Sequence, residues 1–147
     1  MTGNEENFVK NVVNSSIDVI SSINEIHEDI DKAVKTLEEC LKQENKIIIF
    51  GNGGSAADAQ HIAAELISRF YKDRKSIPAI ALTTDSSIIT SIGNDYSFEL
   101  IFSRQCEGLV NEGDVVIAIS TSGNSKNVLE GIKVAKKKNA KIIGLLG

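Results

Sequence analysis

Apolar residues recur every three or four positions through the first 45 residues: Phe8, Val12, Val13, Ile17 and Ile20, then Ile26, Ile30, Val34, Leu37 and Leu41. That spacing marks one face of a helix and predicts an N-terminal helical pair. From Lys46 the texture changes. Residues 46–50 form an apolar run that reads as a buried strand, as do 79–83, 114–120 and 141–146. Between them, residues 55–70, 86–107 and 125–138 carry helical periodicity, the middle stretch as pieces interrupted near Gly93. Strands that are apolar throughout, without alternation, fit a parallel sheet covered by helices on both faces. The expected fold is therefore α/β: a doubly wound parallel sheet preceded by a helical pair. A single domain is expected over 1–147, with 1–45 as the helical addition and 46–147 as the core. Its pattern closes on a strand, so the expectation is that another chain covers that strand or that the sequence is a fragment.

Composition narrows the class. A chain of 147 residues with 41% hydrophobic and 24% charged residues suits one globular core. No apolar stretch approaches the roughly 20 residues of a membrane span, and the N-terminus, MTGNEENFVK, lacks the pattern of a signal peptide. A cytoplasmic protein without a membrane partner is expected. Cys40 and Cys106 have no metal-type spacing and read as buried fillers. The net charge of -4 argues against direct nucleic-acid binding, and Lys136-Lys137-Lys138 reads as a solvated helix C-terminus.

In open parallel sheets, ligands bind beyond the carboxyl ends of the strands. Two loops there are unusual: Gly51-Asn52-Gly53-Gly54-Ser55 after the first strand, and Ser120-Thr121-Ser122-Gly123-Asn124-Ser125 after the third. Glycines admit a ligand close to the backbone, and hydroxyls with free amides at a helix N-terminus favour an anion. A sugar phosphate would suit both. The plainer alternative makes Ser55 and Ser125 ordinary helix N-caps. A dinucleotide is a weaker option: Gly51, Gly53 and Ala56 fit the relaxed fingerprint, but Asp85 lies beyond its usual acidic position, and no Walker-type Gly-Lys-Ser/Thr follows.

On the intervening helix, Ala59, Ile62, Ala63, Leu66 and Phe70 form the stripe expected to face the sheet, with His61, Glu65 and Arg69 in a row opposite. That row is either a solvated face with a Glu65 to Arg69 ion pair or a pair of ligands or acid/base groups, since i and i+4 spacing can offer a nitrogen and an oxygen to one metal.

These residues, together with Asp58, "IGNDY" (92–96), "FSRQ" (102–105) and "AISTSGNS" (118–125), resemble the phosphoheptose isomerases of the sugar isomerase (SIS) fold, a flavodoxin-like three-layer α/β/α architecture. The likeness runs from the N-terminal helices to Gly147. It implies an aldose-ketose isomerase that converts sedoheptulose 7-phosphate into D-glycero-D-manno-heptose 7-phosphate for bacterial surface glycans. It also implies a cytoplasmic homotetramer with active sites between subunits, and Zn2+ as cofactor. By similarity, Asn52, Gly53, Gly54, Ser55, Arg69, Asn94 and Asp95 would contact substrate, and Ser120, Thr121, Ser122 and Ser125 would hold the phosphate. His61 and Glu65 would bind zinc, and Glu65 would shuttle a proton between C1 and C2 through an enediol.

The family's further strand and long C-terminal helix, which supply a Gln and a His to the metal site and to proton transfer, have no counterpart in these residues. His27, the other histidine, matches neither. The resemblance also includes non-catalytic members, one of which binds a replication initiator, and modules that sense a phosphosugar. The former lack the glutamate that Glu65 supplies here, so the enzyme is favoured.

Overall fold

The computed structural model describes residues 3–147 and divides into two units, one reaching to Lys35 and one spanning Thr36–Gly147. The first holds helix α1 (Gly3–Ser22), a 3-10 turn (Ile23–Ile26) and the start of α2 (His27–Lys42). Its helical periodicity is as expected, and the apolar positions Phe8, Val12, Val13, Ile17, Ile20, Ile26, Ile30 and Val34 are exposed.

The second unit is the α/β core. Strands β1 (Ile47–Gly51), β2 (Ala79–Ala81), β3 (Val115–Ser120) and β4 (Lys141–Leu146) form a parallel sheet in the order β2-β1-β3-β4. Alternate side chains of the two central strands point to opposite faces, and both faces are covered. Ile47, Ile49, Val115, Ile117 and Ile119 pack with Ala59 and Ala63 of α3 (Gly54–Ile67) and with Leu37, Cys40 and Leu41 from the last turns of α2. Ile48, Phe50, Val116 and Ala118 meet Ile92 of α4 (Ser86–Asp95), Phe102 and Cys106 of α5 (Ile101–Leu109), and Val128 and Ala135 of α6 (Lys126–Lys137). Phe50 and Phe102 stack with centroids 4.8 Å apart, and Gly131 leaves room for them, since a Cβ there would lie 2.9 Å from the Phe50 ring.

Several boundaries differ from expectation. Helix α3 stops at Ile67, three residues short of the expected end, because the Arg74 guanidinium turns back and donates to the carbonyls of Glu65 and Leu66, each at 2.8 Å. Phe70 therefore leaves the stripe and is exposed. The break after β2 falls at Tyr96-Ser97, not near Gly93, which lies inside α4. Asp85 caps α4, accepting from the Ile88 N–H at 2.9 Å, which occupies the acid a dinucleotide fingerprint would need. The lysine run is only partly a solvated terminus, since Lys138 Nζ donates to the carbonyls of Glu107, in the last turn of α5, and of Val110, its C-cap.

At the amino ends of the strands, buried Asp114 accepts from the Lys46 N–H at 3.1 Å, from Lys46 Nζ at 2.7 Å and from the Asn111 N–H at 2.7 Å. The shared carboxylate aligns the starts of β1 and β3, so the opposite ends emerge side by side.

Both cysteines are buried and free. Burial pushes the Cys106 thiol up to about 12, Lys138 opposing and Glu107 adding to the shift, and burial likewise raises Cys40. Thiolate is the reactive form. Neither thiol should therefore react with a disulfide reagent at pH 8 in the native protein, and both should react in denaturant; rapid labelling of the native protein would contradict the packing described.

Candidate active site

The sheet order places the β1 and β3 carboxyl ends next to each other at the point where the chain leaves in opposite directions, towards β2 and towards β4. Gly51, the last residue of β1, pairs with Ile119. A Cβ at Gly51 would stand 2.7 Å from the Ile119 carbonyl oxygen and 2.7 Å from Ser55 Cβ. Gly53 adopts φ +55 as the N-cap of α3, a conformation that favours glycine. Gly54 differs: a Cβ there would meet nothing within 4 Å, and its backbone makes no special demand. What its missing side chain leaves is open space at the first turn of α3, where the N–H groups of Ala56 and Ala57 bond back to the carbonyls of Asn52 and Gly53.

Because the helix begins at Gly54, Ser55 lies within its first turn and is not an N-cap. Ser125 does occupy the N-cap position of α6, yet its hydroxyl makes no capping bond. Instead Ser125 Oγ lies 3.2 Å from Ser120 Oγ, at the end of β3. The capping alternative accounts for neither side chain. The rest of the second loop folds on itself: the Gly123 N–H donates to the Ser120 carbonyl at 3.1 Å, and Asn124 bonds to both Oγ and the carbonyl of Ser122. Thr121 and Ser122 are exposed.

The two loops are joined. Asn52 and Asn127, the latter 4% exposed, exchange side-chain amide hydrogen bonds of 2.8 Å in both directions. Asn127 was not legible as a site residue from motif reasoning, although one signal was present: at four-residue steps it shares the buried stripe of Gly131 and Ala135, where a polar amide needs a partner.

On α3, His61 Nε2 lies 3.4 Å from Glu65 Oε1, so the two side chains meet as their spacing requires. His61 is exposed and Glu65 half-buried. The row does not continue to Arg69, which lies past the end of the helix and is exposed; among the described residues no ion pair joins it to Glu65. A cleft of about 430 Å³ brings Ser55, Asp58 and His61 of α3 together with Thr121 of the second loop and Leu145–Gly147. A second, of about 340 Å³, runs along His61 and Glu65 to Phe70 and Arg74. His61 thus stands where both open. Asn94 and Asp95 end α4, exposed and bonded to each other at 2.9 Å, and among the described residues no hydrogen bond ties them to either loop.

A glycine turn and a run of hydroxyls at the switch point of a parallel sheet, with a histidine and a carboxylate beside them, carry over to known proteins. Residues 11–147 match the SIS domain model. The chain belongs to the SIS domain family.

Within that family, this SIS chain groups with the phosphoheptose isomerases. It is 64% identical over 109 residues to the phosphoheptose isomerase of Nitratiruptor sp., covering 74% of this chain and 58% of that protein. It is 52% identical over 140 residues to that of Geotalea daltonii, covering 95% of this chain and 73% of that protein. The solved phosphoheptose isomerase from Francisella tularensis superposes with a TM-score of 0.92 at 37% identity, covering all of this chain and 76% of that one. The same enzyme from Neisseria gonorrhoeae gives 0.87 at 40% identity, covering 97% and 74%. The chain thus spans between somewhat over half and three quarters of these relatives' lengths.

If Gly51 is the spacer that lets the two loops approach, Gly51→Ala should destabilise the fold by about 1–3 kcal/mol, since the clash is with backbone and cannot be relieved by one side chain. A fall in the urea midpoint is the expected result; an unchanged midpoint would show that the loops have slack.

Proposed function

We propose that this chain forms the sugar-phosphate-binding and proton-transferring part of an isomerase that converts D-sedoheptulose 7-phosphate into D-glycero-D-manno-heptose 7-phosphate, feeding heptose into bacterial surface glycans such as lipopolysaccharide. The observation that carries the reading is the position of His61, which lines both the cleft shared by Ser55 and Thr121 of the hydroxyl loop and the neighbouring cleft along Glu65. The kinship with phosphoheptose isomerases supports the same choice of substrate.

The phosphate is assigned to Ser120, Thr121, Ser122 and Ser125. Neutral hydroxyls and the positive end of α6 would hold it, because Lys126 next to them is engaged with Glu99 at 3.0 Å. Asn52, Gly53, Gly54 and Ser55 are assigned to the sugar, with Gly54 leaving the room such an approach needs. Asn94, Asp95 and Arg69 are assigned to the sugar by kinship alone. Glu65 is assigned the central step. Its carboxylate takes a proton from C1 of the open-chain ketose, the C1–C2 double bond of the enediol forms, and the same proton returns to C2 as the carbonyl shifts to C1. One hydroxyl proton passes from O1 to O2, so nothing is oxidised or reduced overall. The enediol is where a positioned acid/base group lowers the barrier.

His61 and Glu65 suit zinc as a nitrogen and an oxygen donor on one helix face, but they are two ligands, and no group of three or more metal-binding side chains occurs among the described residues. The donor set here is incomplete for the ion, and no step is routed through it. A homotetramer with active sites between subunits is part of the proposal, supported by the exposed apolar faces of α1 and α2. So is a cytoplasmic location; no described helix is long and apolar enough to cross a membrane.

The test is turnover of sedoheptulose 7-phosphate by the gene product that contains this chain. Glu65→Gln should lower kcat by about 10²–10⁴-fold while leaving substrate affinity within about threefold. Undiminished turnover would remove Glu65 from the mechanism. Ser120→Ala with Ser122→Ala should weaken sugar-phosphate binding by about tenfold or more in calorimetry, as expected on losing two donors to an anion; unchanged affinity would send the phosphate elsewhere.

A further inference from the structure

The buried amide of Asn127 does something that capping and packing do not require. Asn52 Nδ2 donates to Asn127 Oδ1, and Asn127 Nδ2 donates to Asn52 Oδ1. A reciprocal pair of this kind has no sense of its own, because turning both amides over restores both bonds. Val128 breaks that symmetry. Its backbone N–H donates to Asn127 Oδ1 at 2.9 Å, and only an oxygen can receive it. The Asn127 amide is therefore held one way round, and through it the Asn52 amide is too. Asn52 still has one N–H and one carbonyl lone pair uncommitted, and it is half-buried along a narrow cleft of about 150 Å³ that it shares with Gly51 and Gly53.

We propose that Asn127 is a positioning residue for the sugar: it fixes the rotamer and the oxygen-to-nitrogen sense of Asn52, so that Asn52 offers a donor and an acceptor to sugar hydroxyls in a set order. This rests on the sugar-phosphate reading of the site. An Asn52 free to turn over would present the wrong order half the time and lose rotamer freedom on binding, so preorganisation appears as affinity. Asn127 does not itself touch the sugar. It also ties the glycine loop to the start of α6, so the sugar end and the phosphate end of the ligand are held at one spacing.

The experiment is a double-mutant cycle on Asn52→Ala and Asn127→Ala, read by calorimetry with sedoheptulose 7-phosphate and, separately, with inorganic phosphate. Each single variant should weaken the sugar phosphate roughly fivefold to tenfold, and the double variant no more than either single, because both remove the same oriented amide. Inorganic phosphate should shift less than about twofold, since its hydroxyls are untouched. A second readout needs no ligand: the Asn52 side-chain amide hydrogen directed at Asn127 should be protected from exchange in the wild type and exposed in N127A. If N127A does not fold, N127D serves for the affinity readout alone, because it keeps an acceptor for Val128 and for the Asn52 N–H and replaces the donor to Asn52 Oδ1 with an oxygen.

Additive losses, or an equal loss of inorganic phosphate, would overturn the proposal and leave Asn127 a structural residue. An Asn52 amide unchanged in N127A would overturn it as well, while sugar binding by the wild type left the functional reading standing. A wild type that binds no sugar phosphate, with the Asn52 amide behaving as described, would instead overturn the functional reading and the sugar role of Asn127 with it.

Discussion

The site depends on how closely β1 and β3 approach at their carboxyl ends. Gly51 faces the Ile119 carbonyl with no room for a Cβ, and Ser55 presses from the other side. At the far end of the same two strands, Asp114 binds Lys46 twice and sets their register from below. Between these fixed points the central strands are wholly buried, so the loops that leave them have little choice about where they begin. That rigidity suits neutral side chains to the proposed binding role, since positioned donors lose less freedom on binding than mobile ones.

Two kinds of chemistry then share one sheet edge without interfering. The loop ends hold hydroxyls, amides and open backbone, suited to an anion and to sugar oxygens. The outward face of α3 holds the imidazole and the carboxylate, 3.4 Å apart. Helix α3 connects the two, with its first turn in the glycine loop and its last turn held by Arg74. A displacement of its N-terminus is therefore carried to Glu65 about three turns later, which in the proposed mechanism would couple binding to proton transfer.

Most of the architecture was legible because buried parallel strands are written as unbroken apolar runs, and Ile47–Phe50 and Val115–Ile119 are such runs. The two loops and the His61-Glu65 pair were legible for similar reasons: glycine and hydroxyl clusters at strand ends, and a four-residue spacing. The end of α3 was not, because it is set by Arg74, a residue outside the helix whose guanidinium takes the last carbonyls. With Arg69 and Phe70 the period of the sequence continues, but the backbone does not. The capping alternative for Ser55 fails for a related reason, as Gly53 with its positive φ is the N-cap two residues earlier. For Asn127 the local pattern shows only a polar amide on a buried stripe; its partner is 75 residues away, and the sheet order alone creates that contact.

The central claim is that both loops and the α3 face form one site for one sugar phosphate. Backbone amide NMR of the labelled protein, titrated with sedoheptulose 7-phosphate, tests it most directly. The account predicts shifts that share one saturation curve at residues 51–55, at 120–125 and around His61 and Glu65. Shifts confined to one loop, or clustered away from the carboxyl ends of β1 and β3, would contradict it.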